Sequence, residues 1–292
     1  MSEGDGIGVG ARPWPAPAKL NLFLHIVGRR ADGYHELQTC FQFVDLCDDI
    51  HIDVRADGEI TRLRGAPGVL AEQDLTLRAA RALQAATGCT LGATVDVVKR
   101  IPLGAGLGGG SSDAATCLVA LNRLWKLGLP AQSLAQIGLK LGADVPVFVH
   151  GRAAFAEGVG ERLTPLLPPR APAECNYLIL KPNVFVSTAA VFQDPELTRN
   201  SPPTTISGFL ASGGRNDCLD VVRRRYTQVA RAIDWLSQFG DARLTGTGAC
   251  VFLALESQDR GREIIAKLPP DLEAYLVRGL NVSPLLERLS AA

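Results

Sequence analysis

The sequence has no surplus of either charge. Its 30 Lys and Arg are matched by 30 Asp and Glu, which excludes the broad attraction to nucleic acid or anionic membrane that a strongly basic chain has. The densest basic run, Arg223-Arg224-Arg225, is short, lies in a helical pattern and reads as a solvated helix face. No apolar run approaches the ~20 residues that cross a bilayer. The seven cysteines (40, 47, 89, 117, 175, 218 and 250) are odd in number, widely spaced and contain no C-x-x-C pair. That spacing fits neither a disulfide framework nor a zinc site. Most sit among apolar neighbours as small hydrophobes, and a reducing cytoplasm is the compartment they favour. With four histidines and no H-x-x-x-H, His51 and His150 read as core or surface positions and no metal site is expected. Repeats and low-complexity blocks are also missing. The first 14 residues carry acidic residues, glycines and prolines where a signal peptide needs a basic start and an apolar core; they read as a loose leader.

What is present is enough apolar material for more than one core. At 292 residues and 47% apolar, the chain is long enough for two domains. "AKLNLFLHIV" alternates as a strand, with Leu20, Leu22, Leu24 and Ile26 on one face and Lys19, Asn21, Phe23 and His25 on the other. "DLTLRAARALQAATG" reads as a helix capped by Asp74 and closed by Gly88. "GATVDVVKRIP" is a strand ending at Pro102. "SSDAATCLVALNRLWKLG" is a helix capped by Ser111 or Ser112 and closed by Gly128, and a second follows from Ala131 to Leu141. A proline-rich piece, "LTPLLPPRAPAEC", is a linker or a long surface loop. Beyond it come strand, helix, then strand, glycine turn and strand in "ARLTGTGACVFLAL". Strands and helices do not alternate as βαβαβ, so α+β is favoured over a doubly wound parallel sheet.

The segment that carries chemistry is "PLGAGLGGGSSDAA", between a strand and an amphipathic helix. Gly104, Gly106 and Gly109 match G-x-G-x-x-G, but the acidic residue that a dinucleotide site needs about 20 positions on, after a second strand, is absent. No lysine follows Gly110, so this is not a P-loop, and the H-R-D and D-F-G signatures of protein kinases are missing. What fits is an anion cradle. Main-chain amides from Gly104 to Ser112 converge at a helix N-terminus, and the hydroxyls of Ser111 and Ser112 can reach phosphate or Mg²⁺.

These residues resemble the ATP loop of the GHMP small-molecule kinases. The longer glycine run with Ser-Ser-Asp-Ala-Ala is similar to the branch that phosphorylates a cytidine diphosphate-linked sugar alcohol. "PAPAKLNLFLHIVGRRADGYHELQT", "GADVPVFVHG", "FQDPEL" and "LTGTGACVFLAL" also match that branch, in order, over roughly residues 15 to 285. The resemblance implies a two-domain GHMP kinase architecture with the active site in the cleft between an N-terminal domain (15–160) and a C-terminal domain (161–292). It implies ATP and Mg²⁺, bound through Pro102, Leu103, Gly104, Ala105, Gly106, Leu107, Gly108, Gly109, Gly110, Ser111 and Ser112, and a monomer or homodimer acting on a small molecule without nucleic acid or membrane.

Taken alone, Asp144 reads as a turn or cap former and Lys19 as a solvated lysine. The resemblance makes Asp144 the base for the acceptor hydroxyl and Lys19 the cation that keeps it ionised and offsets transition-state charge. Asp113, in the first helical turn, more plainly serves the helix end. The resemblance also implies a substrate site: Asn21 as a hydrogen-bonding residue, Tyr34 and Phe192 as a sandwich for the base, and His35 at the base edge. Thr188 would lie near the phosphates. Gly246, Thr247 and Gly248, a tight turn on their own, would line the site from the second domain and support the loop. Rival readings are a homoserine- or mevalonate-type kinase and a non-catalytic nucleotide-binding module.

Overall fold

The computed structural model describes residues 12–290. Its first feature is a long antiparallel pair, β1 (Trp14–Arg29) and β2 (His35–Arg55), joined by the turn that Asp32-Gly33 punctuates. β3 (Ile60–Arg62) and β4 (Gly92–Val98) extend this sheet, with α1 (Leu75–Thr87) between them. α1 is capped as its sequence dictates: Asp74 accepts from the Thr76 amide and Gly88 turns left-handed at φ 66°. α2 (Gly109–Leu124), α3 (Ala131–Leu139) and α4 (Val145–His150) complete the first lobe. Phe41, Phe43, Val95, Leu118, Leu121 and Phe148 are at its core. Each such side chain contributes roughly 1.5–3 kcal/mol on full burial.

The chain continues through the hairpin β5 (Ala154–Glu157) and β6 (Arg162–Pro165), then β7 (Asn176–Pro182). The short helices α5 (Thr188–Phe192), α6 (Ile206–Ser212) and α7 (Leu219–Arg225) follow, then α8 (Thr227–Leu236). β8 (Arg243–Leu244), β9 (Val251–Leu255), α9 (Gln258–Ile265), β10 (Leu272–Leu280) and α10 (Pro284–Ser290) close the described chain. One hydrogen-bonded sheet runs β3-β4-β2-β10-β7-β9-β8, and among the described strand pairs only β3–β4 is parallel. The α+β reading stands. The lobes are stitched where β10 meets β2, at Gly279–Val44 and Leu280–Phe43.

Four expectations are corrected. Of the expected leader, residues 1–11 lie outside the described residues, but Trp14 opens β1, buried, with the Arg288 guanidinium of α10 over its ring at 4.5 Å. The β1 alternation breaks at a bulge between Asn21 and Leu24. As a result Phe23 joins Leu20 and Leu22 in one cluster, while Leu24 and Ile26 enter the second lobe's core. The strand before the glycine loop stops at Val98, because the buried Asp48 carboxylate accepts from the amides of Arg100 (2.5 Å) and Ile101 (2.8 Å) and turns the chain. Finally, α2 starts at Gly109 and ends at Leu124, with left-handed Gly108 as N-cap and no side-chain cap. The expected division at 160/161 falls in the β5–β6 turn, and α10 packs back on β1 with Leu285 in the first core.

Candidate active site

Lys19 is held inside the protein by the strand that carries it. Only 3% of it is exposed, its amide donates to Leu107 O (3.0 Å), and its stem passes beside Gly108. Its ammonium contacts Asn21 Oδ1, lies 5.3 Å from the Phe41 ring centroid and stands 3.4 Å from Asp144 Oδ2. Asp144 occupies the N-cap position of α4 but caps nothing; its carboxylate, about one-third exposed, opens on the same cavity. The ammonium carries three donors, and the contacts with Asn21 and Asp144 account for two of them. It retains attraction for a further anion.

The glycine loop faces this pair. Ser112 N is bonded to Gly108 O (2.9 Å), so helix geometry leaves the amides of Gly109, Gly110 and Ser111 without an intrahelical acceptor. They point where the partial positive charge of α2 is greatest. Ser112 stands one turn inside α2, which is why it does not serve as the expected cap, and its hydroxyl is fully buried without a hydrogen-bond partner among the described residues. Asp113 turns away from the helix end to Lys99 (2.7 Å), which also binds Asp48 (2.5 Å). Burial pushes the Asp113 carboxyl up to about 7, against the pull of Lys99, while the two carboxylates hold the Lys99 ammonium above its ordinary value despite its own burial. This triad fixes the corner at which strand becomes loop.

The second lobe clamps the loop's first half. Thr245 Oγ1 donates to Gly106 O (3.3 Å) and accepts from Asn21 N (3.0 Å), and Cys250 N donates to Ala105 O (3.1 Å). Left-handed Gly246 and Gly248 form the β8–β9 turn, and Asn216 Nδ2 binds the carbonyls of Leu244 (2.9 Å) and Gly246 (2.8 Å). Thr247 reaches Thr188 by a hydroxyl pair at 2.9 Å. One cavity of about 320 Å³ is therefore bounded by Lys19, Asp144, the glycine loop, Thr188 and Thr247.

A second cavity of about 510 Å³ shares Leu37, Ala143, Val159, Thr188 and Phe192 with the first. Tyr34, 65% exposed, and His35 line it too. Phe192 lies against His35 rather than Tyr34, with centroids 5.2 Å apart and planes at 26°. Burial lowers the His35 pKa, helped by the charges of Arg199 and Arg29. The Arg223–Arg225 run is not simply solvated: Arg224 (2.8 Å) and Arg225 (3.3 Å) grip the buried Asp194 and fasten the segment carrying Phe192. Sequence reasoning missed Thr39, Thr245, Asn216, Lys99 and Arg199. Extending the alternation of Leu37, Thr39 and Phe41 along β2 would have found Thr39, which lines the first cavity and accepts from Asn21 Nδ2 (2.9 Å); Thr245 adjoins the Gly246 turn, and the other three have no local signal.

Comparison with known proteins decides the family. Residues 74–152 match the GHMP kinases N-terminal domain and residues 205–272 the GHMP kinases C-terminal domain. A 4-diphosphocytidyl-2-C-methyl-D-erythritol kinase of Shewanella denitrificans is 53% identical, with 97% of this chain and 98% of the relative covered. The chain belongs to the 4-diphosphocytidyl-2-C-methyl-D-erythritol kinase family of GHMP kinases. A relative of the same name from Nitrosococcus oceani is 56% identical over 94% of this chain and 97% of its own. A crystal structure of 4-(cytidine 5'-diphospho)-2C-methyl-D-erythritol kinase superimposes with TM-score 0.77 at 32% identity, covering 91% of this chain and 98% of that one. A mevalonate kinase at 16% identity and TM-score 0.70 shares the fold alone. A GHMP kinase of this family is an ATP-dependent small-molecule kinase, so the non-catalytic reading falls.

Proposed function

We propose that this kinase transfers the γ-phosphoryl group of ATP to the tertiary 2-hydroxyl of 4-diphosphocytidyl-2-C-methyl-D-erythritol, in the cleft between its two lobes. The observation that carries the mechanism is the Lys19–Asp144 pair at 3.4 Å, opening on the cavity that the glycine loop bounds. The amides of Gly109, Gly110 and Ser111 hold the triphosphate, with Pro102 to Gly108 shaping its approach. Lys19 offsets charge on the transferring group and Asp144 orients the hydroxyl and takes its proton. Transfer through a loose transition state asks mainly for placement. Mg²⁺ would be held by the hydroxyl of Ser111, which lines the cavity, together with the phosphates, while Ser112 is buried one turn inside α2. Such an ion would neutralise charge between the β- and γ-phosphates.

The cytidine end belongs in the adjoining cavity. Tyr34 and Phe192 offer ring faces, His35 the polar edge, and Thr188 and Thr247 hydroxyls toward the diphosphate. A hindered tertiary alcohol is a weak acceptor, so binding remote from the reacting carbon is used to align it. The compartment we infer is the cytoplasm. All seven cysteines are free, and no helix among the described residues is long and apolar enough to cross a membrane.

The direct test incubates the protein with ATP, Mg²⁺ and the cytidylylated methylerythritol, with homoserine and mevalonate as controls. Phosphorylation of the first alone is expected; phosphorylation of a control in its place refutes the reading. Asp144→Asn should cut kcat by about a hundredfold or more while both KM values stay within a few-fold.

A further inference from the structure

Arg199 is a half-buried cation bonded to five partners, and four are backbone carbonyls of one segment. Its Nη2 donates to Phe192 O (3.1 Å) and Asp194 O (2.7 Å), and its Nη1 to Leu197 O (3.1 Å) and Pro195 O (3.4 Å). The remaining donor, Nε–H, points to His35 Nε2 at 3.1 Å. One guanidinium thus ties the segment after α5, in the second lobe, to the first residue of β2, in the first. No other side chain among the described residues bonds His35.

Arginine has only donors and does not lose its proton in proteins. The nitrogen it meets must therefore offer a lone pair. His35 is neutral in this arrangement and its single ring proton is on Nδ1, because the partner of one imidazole nitrogen dictates the state of the other. The same bond fixes the plane of the ring against Phe192, 5.2 Å away. Burial, Arg199 and Arg29 together lower the His35 pKa, which accords with the neutral form.

We propose that Arg199 is a positioning residue for nucleobase binding: it joins His35 to the Phe192 segment and sets the proton of His35 on Nδ1. This rests on the reading of that cavity as the cytidine site. Without the Arg199 bond, no side-chain hydrogen bond joins His35 to the Phe192 segment, and the imidazole is free to turn, exchange tautomers and take a second proton. The base would then have to order the ring as it binds, and affinity would fall. Arg199 itself need not touch the substrate.

The test uses the full-length protein and its Arg199→Met and Arg199→Lys variants, with cytidine and cytidine diphosphate as probes. Nitrogen-15 NMR of the ring should show a protonated Nδ1 and a lone-pair Nε2 in the parent protein. In Arg199→Met it should show mixed tautomers and a higher titration midpoint. Loss of this charge-assisted hydrogen bond should weaken cytidine and cytidine diphosphate alike, by about tenfold or more. The KM for ATP should stay within twofold, which also reports that the variant is folded. Arg199→Lys keeps the charge but lacks the fork that spans carbonyls and ring, so it should not restore binding. Unchanged ring signals in Arg199→Met would overturn the proposal. So would a loss confined to cytidine diphosphate, which marks a direct contact with phosphate. If the parent binds neither probe while its ring signals are as expected, the Arg199–His35 bond is upheld and the cytidine reading of the cavity falls.

Discussion

Gly106→Ala probes the seam between the lobes at one atom. A Cβ there would lie 2.3 Å from the Thr245 carbonyl oxygen and 3.0 Å from that of Gly248, on a backbone at φ +77°. The left-handed conformation alone costs a residue with a Cβ about 1–2 kcal/mol. Relief of the contact requires a movement of about 1 Å to reach ordinary van der Waals separation. Neither element can yield by rotating a side chain, because the obstacle is backbone. Separation breaks the Cys250 N to Ala105 O bond (3.1 Å) and the Thr245 Oγ1 to Gly106 O bond (3.3 Å), each contributing about 1 kcal/mol. The sum is about 3–4 kcal/mol against the clamped loop. The loop can lift without unfolding either core, so the cost falls first on the population able to hold ATP. A bias of that size lowers kcat/KM for ATP by about a hundredfold or more, with a Tm decrease of only several degrees. Initial rates against ATP concentration, with a thermal melt on the same sample, measure both. Gly88→Ala is the control: its φ is +66° with nothing within 4 Å of the new Cβ, so it should cost about 1 kcal/mol of stability and leave ATP kinetics alone. ATP kinetics within threefold of the parent in Gly106→Ala would refute the clamp.

Lys19→Met should abolish turnover by about a hundredfold or more while the fold is retained, because methionine fills the buried stem without the ammonium; burst-free single-turnover rates report this, and normal rates would remove Lys19 from the chemistry. Phe192→Ala should weaken cytidine diphosphate by about 1–3 kcal/mol in calorimetry, with ATP affinity intact. Tyr34→Ala should act in the same direction, and affinity unchanged from the parent in both variants would end the ring-face role. The lowered His35 pKa has a definite sign. The folded site resists a proton that the unfolded chain accepts near its ordinary 6.5, so His35 adds stability above that pH that is lost on acidification. Cytidine diphosphate affinity should accordingly be flat from pH 8 to 6.5 and fall only below; a rise on acidification would contradict a neutral ring.

Local rules made much of this protein readable before any fold was known. The α1 caps at Asp74 and Gly88, the turn at Asp32-Gly33, the paired strands around Gly246–Gly248 and the glycine turn that opens α2 all follow from residues within a few positions of each other. Lys19 and Asn21 share a face because strand side chains alternate, and their contact shows it. Matching of ordered motifs then supplied roles that no local pattern contains, such as the pairing of Lys19 with a residue 125 positions away.

Tertiary structure decided what depends on distant neighbours. The bulge after Asn21 sends Phe23 to one core and Leu24 to another, because strand β1 must serve both lobes. Arg224 and Arg225 look solvated until Asp194 is folded against them, and Arg199 is one charge among thirty until His35 arrives from the other lobe. Hydrogen-bonding residue types and backbone periods are written in short stretches of chain, and the sequence by itself determined those. Which lone pair meets which proton across a cleft depends on how two lobes pack, and only the folded molecule determines that.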